Sequence, residues 1–209
     1  MEGYGKKRFL KKVFISLCIM ASVELSVTPS SEVASIEGHS FVRPEVESTE
    51  KYRVLSVLSG YRTGLGLAEK IRLSEVILEE SRNYNLDPLF VLALIETEST
   101  YYNWAKSRKG AVGLMQVRPG TGRHVADELN IRWEGERTLY NPYLNVKLGL
   151  HYFATLLERY GDDRQKALAA YNSGPGYVTA RLRLGRPLPR RYGSKVMSKY
   201  ENLKERIAD

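Results

Sequence analysis

The chain has 209 residues, 43% of them hydrophobic and 27% charged, with a formal net charge of +8 and a sequence pI near 9.5. This fits one globular domain with appendages. A single cysteine, Cys18, excludes an internal disulfide and any Cys/His metal cluster. The basic balance calls for an anionic partner, but no RNA- or DNA-binding motif accompanies it, so nucleic acid is not favoured.

The N-terminus has the pattern of an export signal. Lys6, Lys7, Arg8, Lys11 and Lys12 precede an apolar run from Val13 to Val23, which Glu24 interrupts. A run of that length suits a signal peptide over residues 1–25, cleaved near Ala21, or an uncleaved anchor. It falls short of the about 20 residues of a full membrane span. Bulky Leu17 before Cys18 argues against lipidation there. Loss of residues 1–21 would remove five Lys/Arg and one Glu and leave a charge of about +4. Residues 26–66 are rich in Ser, Thr, Val, Glu and Pro and read as a linker, with a short helix over Tyr52–Ser59 and breaks at Gly60, Gly64 and Gly66.

The pattern turns helical from Leu67. Ile71, Val76, Ile77 and Leu78 mark an amphipathic helix ending near Asn83–Asn85. Asp87-Pro88 is an N-cap followed by a first-turn proline, and the helix it opens is apolar on nearly every face from Leu89 to Ile95, so it should be buried centrally. A glycine-rich loop follows, then helices near Thr121–Leu129, from Asn141-Pro142 to Gly161, over Gln165–Tyr171, and over Ser194–Ile207 in a basic C-terminal stretch. No window alternates with period two. The expected fold is all-α or mostly α over residues 67–207, with at most a small hairpin near Gly110–Val117. His39, His124 and His151 lack ligand spacing, and no metal or cofactor is implied.

Three segments carry chemistry. The apolar helix ends in Glu96-Thr97-Glu98-Ser99. An acid there should hold its proton: apolar surroundings, the neighbouring Glu96 and the negative helix end all raise the pKa of Glu98, which suits protonation of a leaving-group oxygen. Glu96 competes for that role, and periodicity does not separate the two. The second segment is Gly110-Ala111-Val112-Gly113-Leu114-Met115-Gln116. It is either a tight turn or a place where backbone approaches a ligand, with the Gln116 amide suited to sugar hydroxyl or acetamido groups. The third is Ala169-Ala170-Tyr171-Asn172-Ser173-Gly174-Pro175-Gly176, which allows close helix packing and sets two polar side chains at a helix end.

These segments resemble, in order and spacing, the goose-lysozyme-like family of soluble lytic transglycosylases (the SLT domain). Glu98-Ser99, Tyr101, Ala105, Ser107, Gly110-Ala111 and Gly113–Gln116 match the family's first motif. Asn141-Pro142, Asn145, Gly149 and Tyr152 match the next, and Ala170–Gly176 the last, with a late Tyr192; together they cover about residues 70–200. Asn103 stands where the family usually has proline, and the Glu-Thr that often precedes the late tyrosine is missing ahead of Tyr192.

The resemblance implies a lysozyme-like helical domain that cleaves peptidoglycan glycan strands without water. Glu98 would be the single catalytic acid and then base, giving 1,6-anhydro-muramoyl ends. Ser99, Met115, Gln116, Tyr171, Asn172 and Tyr192 would bind substrate or position the acid. The other carboxylates past the glycine loop, Asp127, Glu128, Glu134, Glu136, Asp162 and Asp163, sit in no motif. The implied place is the periplasm or cell envelope, with membrane association through the N-terminal segment and envelope machinery as a further partner. The alternatives are a goose-type hydrolase and a non-catalytic wall-binding or secretion-scaffold module.

Overall fold

A computed structural model describes residues 44–208 of the chain. The expected export segment, Cys18, His39 and the first part of the expected linker lie outside the described residues. Within them the chain forms nine helices: α1 Pro44–Ser59, α2 Leu67–Asn83, α3 Pro88–Ser99, α4 Pro119–Glu128, α5 Glu136–Tyr140, α6 Pro142–Arg159, α7 Arg164–Ser173, α8 Pro175–Arg183 and α9 Arg191–Ala208. No strand forms among these residues. The expected hairpin reduces to two isolated antiparallel bridges, Lys106 with Val112 and Val112 with Val117.

Helix α3 is the axis of the domain. Asp87 caps it by accepting from the Leu89 amide at 2.7 Å, and Pro88 occupies the first turn without losing a hydrogen bond. Phe90 to Ile95 are six consecutive buried residues, possible for a helix only when neighbours cover every face. Helices α9, α2 and α1 provide that cover. Each large side chain so buried contributes about 1.5–3 kcal/mol. Directly after α3, Thr100 and Tyr101 both adopt left-handed backbone, φ 53° and 61°. This double reversal ends the helix one residue past Ser99 and drives the Tyr101 ring into the core against Tyr61, 4.5 Å between centroids.

Three elements depart from the sequence expectation. The short helix expected over Tyr52–Ser59 is the second half of a longer one, α1, which begins at Pro44 within the stretch expected as linker and packs on α2 and α3 through Val54, Val57 and Leu58. Its first half is mainly Ser, Glu and Thr with no apolar stripe to read. Helix α5 has only five residues and no periodicity to find. Helix α8 begins at Pro175, within a segment read as a terminator; the proline is the first residue of a new helix, where its missing N–H costs nothing. Asn103, in place of the family's usual proline, is buried and structural. Its backbone N–H donates to Thr63 O at 2.9 Å and its side chain to Tyr140 O at 3.0 Å, and a proline could make neither bond.

Candidate active site

The glycine loop is held down by one side chain. Asn145, buried on α6, accepts from the Met115 amide at 2.7 Å and donates to Val112 O at 2.9 Å and Leu139 O at 2.8 Å. Two glycines make the fit possible. A Cβ on Gly113, which has φ +79°, would lie 2.3 Å from Asn145 Nδ2; one on Gly149 would lie 2.6 Å from Met115 Cβ. Asn145→Ala removes the side-chain partner of the buried Met115 N–H and of Leu139 O, while Val112 O keeps the Val117 amide, so we expect it to lower stability by about 2–4 kcal/mol in thermal or denaturant unfolding. A loss below about 1 kcal/mol would show that the clamp is dispensable.

With the loop fixed, a cleft of about 750 Å³ opens beside the end of α3. Glu98 lines it. Gln116 and Val117 come from the loop, Tyr152 from α6, Tyr171, Asn172 and Ser173 from the end of α7, and Pro175 and Tyr177 from α8. Among the described residues, no other acidic side chain lines the cleft. Of the six carboxylates noted past the loop, none lines the cleft, and four are occupied elsewhere: Glu136 holds Lys106, Glu134 holds Arg132, Asp163 caps α7, and Glu128 lies between His124 and His151.

The two glutamates at the end of α3 are told apart by their partners on α9. Glu96 forms an ion pair with Lys199 and does not line the cleft. Glu98 accepts a hydrogen bond from the Tyr192 hydroxyl. Burial pushes the pKa of Glu98 up to about 7, opposed by the Tyr192 hydrogen bond and by the positive charge of Lys195, one turn further along α9. Glu96, expected to raise that pKa, is instead neutralised by Lys199. The hydroxyls of Tyr192 and Tyr171 are both held well above their usual pKa, by burial first and then by the Glu98 charge, so each stays a donor.

The other expected site residues divide. Gln116 lines the cleft, and its amide nitrogen donates to Gly113 O at 3.0 Å and Ala105 O at 3.2 Å, which leaves its oxygen to accept from a ligand. Asn172 is exposed on the cleft wall. Tyr171 reaches the cleft but donates to Met115 O at 2.8 Å; the hydroxyl bonded to Glu98 is that of Tyr192. The Met115 side chain is fully buried against Gly149 and does not line the cleft. The Ser99 hydroxyl donates back to Ile95 O at 3.1 Å. Sequence reasoning missed Lys195, Lys109 and Arg118, three basic residues in a chain full of them; only their placement sets them apart.

The family model for the Transglycosylase SLT domain matches residues 75–186. The chain belongs to that family. Among curated relatives, a soluble lytic murein transglycosylase of Salmonella typhimurium is 32% identical over 106 residues, covering 50% of this chain and 16% of the relative. A membrane-bound lytic murein transglycosylase C of Actinobacillus pleuropneumoniae is 33% identical over 112 residues, covering 49% of this chain and 31% of the relative. The chain thus spans less than a third of the length of either. Among solved structures, an inactive mutant of the lytic transglycosylase Slt of Pseudomonas aeruginosa aligns with a TM-score of 0.57 and 27% identity, over 64% of this chain and 24% of that one. The 70 kDa soluble lytic transglycosylase of Escherichia coli aligns with a TM-score of 0.59 at 24% identity, over 79% of this chain and 30% of that one, which shows the helical lysozyme-like fold.

Proposed function

We propose that this chain is a peptidoglycan lytic transglycosylase that cleaves the bond from N-acetylmuramic acid to N-acetylglucosamine without water. One observation carries the reading: among the described residues the cleft holds a single carboxylate, Glu98, with a pKa raised to about 7 and a tyrosine donor on it. Glycosidases that hydrolyse usually place two carboxylates about the bond, one to activate water or act as nucleophile. A single acid is enough where the substrate supplies its own nucleophile. The family match and the names of the relatives agree with this chemistry.

In the proposed reaction, protonated Glu98 gives its proton to the bridging oxygen as the glycosidic bond breaks. The 2-acetamido group of the muramoyl ring stabilises the oxocarbenium ion that develops at C1. Tyr192 donates to the carboxylate just formed. That carboxylate then takes the proton of the same sugar's C6 hydroxyl, whose oxygen bonds to C1 and closes the 1,6-anhydro ring. Glu98 ends protonated, as it began. Gln116 and Asn172 are placed to meet sugar hydroxyl and acetamido groups, and Tyr171, through Met115 O, ties the glycine loop to α7.

The test is mass spectrometry of the muropeptides released from purified walls. Fragments ending in 1,6-anhydro-muramic acid are expected. Reducing ends would replace this reading with a goose-type hydrolase, and no release at all would favour a wall-binding module. The substrate lies in the bacterial envelope, and the N-terminal basic and apolar segment is proposed to carry the chain to it, as a cleaved signal or an anchor.

A further inference from the structure

The cleft lining carries two cations, Lys109 just before Gly110 of the glycine loop and Arg118 at the start of α4. Neither has an ion-pair partner among the described residues. Lys106, by contrast, is paired with Glu136, and Arg181 donates to Tyr177 Oη at 3.2 Å and Pro187 O at 2.7 Å. Nor do the two cations act on the acid, whose proton is set by burial, Tyr192 and Lys195. Both are exposed along the cleft, and among the described residues Glu98 is its only acidic lining residue. A protonated Glu98 leaves the lining with two uncompensated positive charges. A ligand of neutral sugars gains nothing from them, whereas one with pendant carboxylates does.

We infer that Lys109 and Arg118 form an anion-recognising wall that selects glycan strands bearing carboxylates over neutral glycan. The inference rests on the glycan-cleaving role proposed above and names the feature of the strand that this site prefers. Muramoyl residues offer such carboxylates from two sources: the lactyl ether itself, when unsubstituted, and the peptide stems attached to it. The guanidinium of Arg118 can take a carboxylate through two parallel hydrogen bonds, and Lys109 adds a point charge beside it.

Calorimetric binding of soluble strand fragments to the purified protein tests this, alongside turnover of the same fragments. The fragments are used in three forms: with intact stems, with all carboxylates converted to neutral amides, and with stems removed so that only lactyl carboxylates remain. We expect amidation to weaken binding about three- to tenfold, the range that two solvent-facing charge contacts supply. The double variant Lys109→Gln/Arg118→Gln should bind charged and amidated fragments alike, with the loss in turnover seen in KM. Exchange to Lys109→Arg/Arg118→Lys should restore most of the preference. Stripped strands that bind like intact ones show that either carboxylate fills the wall, which supports the inference; stripped strands that bind like amidated ones assign the stem. Equal affinity of the unaltered protein for charged and amidated fragments overturns the inference. Charge-dependent binding without anhydro products would overturn the proposed activity and leave this inference standing.

Discussion

Glu98→Gln is expected to abolish cleavage of peptidoglycan and, above neutral pH, to make the protein more stable. The first effect follows from removing the one acid that lines the cleft among the described residues, since proton transfer of this kind supplies about 10²–10⁴-fold in rate. The second follows from burial. The Glu98 carboxyl has its pKa raised from an ordinary 4.5 to about 7 in the folded chain. Below pH 4.5 both folded and unfolded forms hold the proton and the group costs nothing. As pH rises towards 7 the unfolded chain ionises freely while the folded one resists, so stability falls; above 7 the loss is complete, at up to about 3 kcal/mol. A neutral glutamine escapes that loss. Thermal unfolding should therefore show the variant matching the unaltered protein at pH 4 and exceeding it at pH 8. Wild-type clearing of walls by the variant would refute the assignment of the acid. An equal stability gap at both pH values would refute the raised pKa.

Tyr192→Phe should lower kcat by about 10- to 100-fold while the fold persists. The ring stays to pack on the core, but the hydrogen bond to the carboxylate formed in the first step is lost, worth about 1.5–3 kcal/mol to a charged acceptor. The same bond lowers the Glu98 pKa, so its removal moves that pKa above 7. Cleavage begins from the protonated acid, and its rate falls as pH rises through that pKa. The alkaline limb of the pH–rate profile should therefore move to higher pH in the variant. A fall in kcat with an unmoved limb would place Tyr192 in substrate binding instead.

Features encoded within a few residues were readable from the chain directly. Asp87-Pro88 and the apolar run behind it together mark α3 and put Glu98 at its end. Asn141-Pro142 starts α6 in the same way, with the Asn141 side chain accepting from the Tyr143 and Leu144 amides. Local signals misled where a residue has two uses. Pro175 opens a helix as readily as it ends one, and Met115 supplies backbone atoms to the site while its side chain fills the core.

Neither of the partners that set the behaviour of Glu98 lies near it along the chain. Tyr192 is 94 residues away, and Lys195 sits one turn beyond it on a basic helix in which nothing local distinguishes it from other lysines. The same holds for Lys199, which removes Glu96 from contention, and for Asn145, which reaches 30 residues back to hold the loop. Capping, periodicity and glycine placement act over one or two turns of chain, so the helices, the family and the candidate acid are written locally. The proton affinity of that acid, the division of labour between two neighbouring glutamates, and the charge on the cleft wall depend on how α9, α6 and α4 pack around α3. Burial and Coulomb terms are properties of distance in space, and separation along the chain does not encode them.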